Sequence, residues 1–142
     1  MSSSKHAWAI DANVILRFVM RDDEELYAKA ASIFQSVEQG DTAICCDPIT
    51  LAEVVWVLGS FYELPRPEIA RELATIVGSP GLTMPHKARY LRALRLYGGS
   101  VKHFGDACAY AAALEDCDGR LYSFDREPSA VEGIDRRETV AG

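Results

Sequence analysis

An α/β domain with parallel strands is the fold class that the sequence predicts, on three observations. Short apolar runs of strand length alternate with longer runs of helical period along the chain. Two of the apolar runs, AWAI and LYSF, end on a carboxylate, Asp11 and Asp125. The 142 residues, 49% hydrophobic and 25% charged, suffice for one soluble domain with a core of its own. Residues 1–142 therefore read as a single domain. Its expected form is a three-layer sandwich, with a short-stranded, mainly parallel central sheet flanked by helices.

Ala7–Ile10 reads as a buried strand and Ala12–Met20 as the helix that follows it. Asp22, Asp23, Glu24 and Glu25 form a solvated helix start. Behind them Leu26, Ala30, Ile33, Phe34 and Val37 keep helical spacing until Gly40. Thr42–Cys46 is the second strand. A helix runs from Thr50 to about Tyr62, and LPRP breaks it. Pro67 suits the first turn of a helix carrying Ile69, Leu73, Ile76 and Val77, which stops near Gly78. Leu82–Met84 is a third strand, and a helix from about His86 to Tyr97 ends at Gly98-Gly99. Asp106–Cys117 is Ala-rich and helical, Leu121–Phe124 is a strand, and a last strand is expected near Glu138–Val140.

No apolar run has transmembrane length, and MSSSKHAW lacks the apolar stretch of a signal peptide, so a cytoplasmic protein is expected, away from membranes. Cys45 and Cys46 are adjacent, and Cys108 and Cys117 lack CxxC spacing. All four read as small, reduced core residues rather than zinc ligands. The net charge of −6 argues against bulk electrostatic coating of nucleic acid. The distribution is uneven, however. Leu73 to Gly105 holds no acid and carries Lys87, Arg89, Arg92, Arg95 and Lys102. Arg89, Arg92 and Arg95 fall within roughly a 120° arc of their helix. They form either a guide for a phosphate backbone or a plain solvated face.

Burying an unpaired carboxylate is costly, so acids at the tips of core strands call for an explanation. In parallel sheets, ligands bind beyond the carboxyl ends of the strands. Asp11 and Asp125 sit at such ends, while Glu53 and Asp106 lie near helix starts, which belong to the same edge. Each has a purely structural alternative. Asp11 can cap a helix, Asp125 can open a turn, and Thr50-Leu-Ala-Glu53 matches a capping box. Asp106 suits the positive end of a helix dipole. Four converging carboxylates, in contrast, need counter-charge. Mg²⁺ or Mn²⁺ supplies it through oxygen ligands, and such sites hydrolyse phosphodiesters. Other acids are set aside by position: Asp47 before Pro48 as a turn, Glu115 and Asp116 at the far end of their helix, and Asp118-Gly119 as a turn signal.

Asp11-Ala-Asn13 after a strand, Glu53 in LAEVVWVL, Asp106 in FGDACAYAAA and Asp125 in YSFD follow one another in fixed order. This set, from about Trp8 to Ile134, resembles the PIN-domain ribonucleases, and among them the VapC-type toxins of bacterial toxin–antitoxin pairs. The resemblance implies a PIN-like sandwich and a Mg²⁺- or Mn²⁺-dependent endoribonuclease, the toxin of a type II pair. Asp11, Glu53, Asp106 and Asp125 would be its catalytic, metal-holding acids, with Asn13 and Ser123 in support. It further implies a cognate antitoxin that blocks the site, and a toxin homodimer. One departure stands out: many relatives carry an acid three residues before the Asp106 position, where this chain has His103. That imidazole would weaken a second metal site or meet substrate phosphate, or it is simply a helix-entry residue. Two rival readings are a HAD-like phosphatase, since Asp11-Ala-Asn13 is similar to its nucleophile motif, and a catalytically inactive PIN-like interaction module. The phosphatase needs a second Asp where Asn13 stands.

Overall fold

The structure, a computed structural model, describes residues 7–140. Its first three helices begin where aspartate side chains satisfy free N–H groups. β1 (Ala7–Ala9) leads through Ile10 to Asp11, whose carboxylate accepts the Val14 N–H at 3.3 Å and caps α1 (Ala12–Met20). Asp23 caps α2 (Glu24–Glu38) through the Leu26 N–H at 3.0 Å. β2 (Ala43–Cys45) precedes α3 (Pro48–Ser60), which Asp47 caps through the Ile49 N–H at 2.8 Å with Pro48 in the first turn. Then follow α4 (Arg66–Val77), β3 (Leu82–Thr83), α5 (Lys87–Gly98), α6 (Phe104–Asp116), β4 (Arg120–Tyr122), a 3₁₀ turn (Glu127–Ala130) and β5 (Asp135–Arg137).

β2 is the centre of a three-stranded parallel sheet, in which Ala9 lies opposite Cys45 and Ile44 opposite Leu82. The α/β class and the parallel central sheet are as the sequence predicts. β4 and β5 form a separate parallel pair, with Leu121 opposite Arg136. Two expectations need correcting. β1 is not a buried strand: it pairs on one side only, and Trp8 is 69% exposed. The last strand is Asp135–Arg137 rather than Glu138–Val140. Gly133, at φ 89, turns the chain so that the Asp135 N–H reaches the Gly119 carbonyl at 2.8 Å. Backbone bonding, not apolar alternation, sets that register.

The core gathers Ile15, Ile44, Leu51, Leu58, Ile69, Leu73 and Leu94, each essentially inaccessible. Burial of each is worth about 1.5–3 kcal/mol. Cys46 joins this core, whereas Cys117 is exposed, so the cysteines are not uniformly interior. Burial, then the neighbouring Asp47, pushes the Cys46 thiol up to about 11, and burial does the same for Cys108. Neither is a thiolate nucleophile at neutral pH. Among the described residues no helix is long and apolar enough to cross a membrane.

Asp22 fastens the helix entry, accepting from Tyr62 Oη at 2.8 Å and Arg17 Nη1 at 2.9 Å. These bonds, Tyr62 first, hold its carboxyl below the usual range. A depressed carboxyl stabilises the fold above its unfolded pKa of about 3.9 and loses that contribution as pH falls through the folded value. Asp22→Asn is therefore expected to lose less melting temperature than wild type between pH 7 and pH 3.

Candidate active site

Asp11 stands just past β1, exposed, with one carboxylate oxygen on the Val14 N–H. The cap reading of Asp11 is thus realised, and it engages only Oδ1. Asn13 follows in the first turn of α1, also exposed.

Glu53 lies inside α3, because the helix begins at Pro48 and not at Thr50. The Thr50–Glu53 capping box therefore does not form; Asp47, expected in a turn, is the cap instead. Glu53 is exposed, on the helix face shared with Ile49 four residues before and Trp56 three residues after.

Asp106 lies in the first turn of α6, half-buried, where the helix dipole favours a negative charge. His103 occupies the N-cap position of α6 without a side-chain capping bond, and its imidazole is exposed. Asp125 follows β4, and its backbone N–H donates to Ser123 Oγ at 3.1 Å. Ser123 is itself held: its N–H donates to the Arg137 carbonyl at 3.0 Å, and its carbonyl accepts from Arg136 Nη1 at 3.0 Å. Ser123 thus positions the backbone of Asp125.

Tyr110 lies within electrostatic reach of both acids and bonds a third. Its hydroxyl donates to Glu127 Oε1 at 3.1 Å, and the other Glu127 oxygen accepts the Lys102 N–H at 3.3 Å. Burial, the Glu127 bond and the charges of Asp106, Glu127 and Asp125 all push the phenol pKa up, so three carboxylates lie within electrostatic reach of one hydroxyl. Nothing in the sequence marks Glu127 as a partner of Tyr110. Its only signal there is its place two residues past Asp125. Tyr110→Phe leaves Glu127 without that donor and is expected to cost about 0.5–1.5 kcal/mol in denaturant unfolding.

Asp11 stands on the three-stranded sheet, and Asp125 follows the separate β4–β5 pair. Among the described residues, no three His, Cys, Asp or Glu side chains form a ready-made metal cluster. The donor chemistry nevertheless suits a hard cation. Asp11, Glu53, Asp106 and Asp125 offer only oxygen, and none enters an ion pair among the described residues. Mg²⁺ keeps several waters and is held through one or two carboxylates, so a cage of three is not required.

The basic face of α5 is smaller than the spacing predicts. Arg89 donates to Glu115 at 3.2 Å and to Asp116, with its side chain only 13% exposed. It ties α5 to the C-terminal end of α6, where two acids oppose the helix dipole. Arg89 therefore commits its guanidinium to this helix–helix tie, whereas Arg92 and Arg95 enter no ion pair among the described residues. Arg92 is half-buried and Arg95 exposed. If these two meet phosphate, their double Ala variant should bind RNA with a shallower salt dependence. An unchanged slope would make them a solvated face.

A family model described as PIN domain matches residues 9–134. A search of curated proteins finds no match to the chain.

Proposed function

The chain belongs to the PIN-domain family, whose members are generally nucleases, and on that premise we propose that it is a metal-dependent endoribonuclease, the toxin of a type II toxin–antitoxin pair. The observation that carries the proposal is the set of four carboxylates that enter no ion pair among the described residues: Asp11 and Asp125 just past strands, Asp106 in the first turn of α6, and Glu53 on the exposed face of α3. The charges of Asp106 and Asp125 both act on the Tyr110 hydroxyl, which supports their assignment to one site.

These acids would hold Mg²⁺ or Mn²⁺, which supplies a Lewis acid and an activated water when bound. Asp11 keeps Oδ2 clear of its capping bond. Ser123 fixes the chain at Asp125, and the Tyr110–Glu127–Lys102 bonds lock the following turn against the entry of α6. Unpaired RNA is the favoured substrate, because its base edges are accessible. In-line attack of water would leave 5′-phosphate and 3′-hydroxyl ends. In the same reading the protein works in the cytoplasm as a homodimer, under the control of a cognate antitoxin.

End analysis of cleaved RNA tests the chemistry. Products with 5′-phosphate, formed only with Mg²⁺ or Mn²⁺, are expected. Cyclic 2′,3′-phosphate ends, or cleavage unaffected by EDTA, would contradict it. Induced expression tests the toxin role: growth should stop with wild type and continue with Asp106→Asn.

A further inference from the structure

We propose that the cleft between α3 and the entry of α6 is a nucleotide subsite, where Trp56 stacks on an unpaired RNA base and Lys102 and His103 face the adjoining phosphate. This rests on the ribonuclease reading and adds to it a substrate-positioning surface.

Trp56 is 68% exposed, on a helix whose other face already supplies Leu51, Val54, Val55 and Leu58 to the core. The core therefore does not account for it. It borders a cleft of about 400 Å³ together with Ser60, Lys102, His103 and Gly105. That volume lies in the range of small-ligand sites. No carboxylate lines the cleft, although the chain carries a net charge of −6. The Lys102 ammonium and the His103 ring have no hydrogen-bond partner among the described residues. The guanidinium of Arg66 is already used: it donates to the carbonyls of Tyr97 at 3.1 Å and Gly99 at 3.2 Å, which stiffens the cleft wall. A Cβ on Gly105 would meet nothing within 4 Å, so the mouth is open.

Position links the cleft to the acids. Glu53 stands one helical turn before Trp56, and Asp106 follows His103 by three residues. An aromatic face beside an unengaged ammonium and an exposed imidazole is an arrangement that binds single strands, with stacking for the base and charge and hydrogen bonds for the backbone.

The test uses fluorescence. Trp8 is the other tryptophan, so Trp8→Phe leaves Trp56 as the sole reporter. With Asp106→Asn added to block cleavage, a short unstructured RNA is expected to quench Trp56 saturably. Trp56→Ala should weaken binding about tenfold or more, the scale of one base–aromatic stack, while Trp56→Phe largely restores it. Lys102→Ala should instead flatten the salt dependence. RNA binding detected by anisotropy, with Trp56 emission unmoved or Trp56→Ala binding like wild type, would overturn the subsite and leave the nuclease reading standing. A change of oligomeric state in Trp56→Ala, with RNA affinity intact, would make this face a protein interface and also overturn the proposal. No RNA binding or Mg²⁺-dependent cleavage by any form would overturn both.

Discussion

Asp106→Asn is expected to lower RNA cleavage by about 10²–10³-fold, the scale on which losing one preorganised charge-stabilising group acts. The substitution keeps the size of the side chain and its place in the first turn of α6, so the fold should persist. Asn still accepts hydrogen bonds but carries no charge for a cation. Asp118→Asn is the matched control: Asp118 is exposed in the turn between α6 and β4 at φ 53, a conformation that Asn tolerates, and is not one of the four candidate acids. Single-turnover cleavage of a short RNA measures both. Equal rates for Asp106→Asn and wild type would remove Asp106 from the site.

The largest stability loss is expected at Gly119, which joins α6 to β4. A Cβ there would lie 1.9 Å from the Gly133 carbonyl oxygen, and φ is +79. Neither partner has a flexible side chain that can yield, because the contact is with backbone. The same residue donates to the Ala113 carbonyl and accepts from the Asp135 N–H, each at 2.8 Å, so a shift there unties β4 from β5. Gly119→Ala should cost about 3 kcal/mol or more, combining backbone strain with steric overlap. Denaturant unfolding checks this: a midpoint like that of wild type would contradict the close approach. Gly40→Ala offers a comparison, since its φ of +85 is similar but nothing lies within 4 Å of the added carbon. It should cost far less.

Much of the fold was legible because local chemistry and tertiary packing agree. α1 occupies Ala12–Met20 as its apolar spacing predicts, and Pro67 does lie in the first turn of α4. The sequence predicts α3 from Thr50, two residues after its start, because Asp47-Pro48 reads as a turn. The same pair is equally an N-cap followed by a first-turn proline, and only the helix that follows distinguishes the two. β5 was misplaced because Asp135-Arg136-Arg137 has no apolar alternation to mark it. Its pairing is made by main-chain bonds, which side-chain patterns do not report.

Of the candidate acids, the sequence places Asp11 and Asp125 after strands and Asp106 at a helix start, where the structure has them, whereas Glu53 lies five residues inside α3. What surrounds them was not legible. The Tyr110–Glu127 bond spans 17 residues, and the capture of Arg89 by Glu115 and Asp116 spans 26 and 27. Contacts of that separation depend on how α5, α6 and the turn after β4 pack together. Arg89 therefore looked like part of a continuous basic face until its partners were seen.

That the four carboxylates hold a divalent cation is tested most directly by melting curves of wild type, Asp11→Asn and Asp125→Asn, with EDTA and with Mg²⁺. A bound ion stabilises the folded state by RT ln(1 + [Mg²⁺]/Kd). Wild type should therefore melt higher with Mg²⁺, and both variants should lose that gain. In EDTA each variant should melt at or above wild type, because one of several mutually repelling charges is gone and Asn still caps α1 at position 11. Asp47→Asn, which removes charge from a cap outside the site, should keep the full Mg²⁺ shift. Equal Mg²⁺ shifts in wild type and both variants would contradict the account.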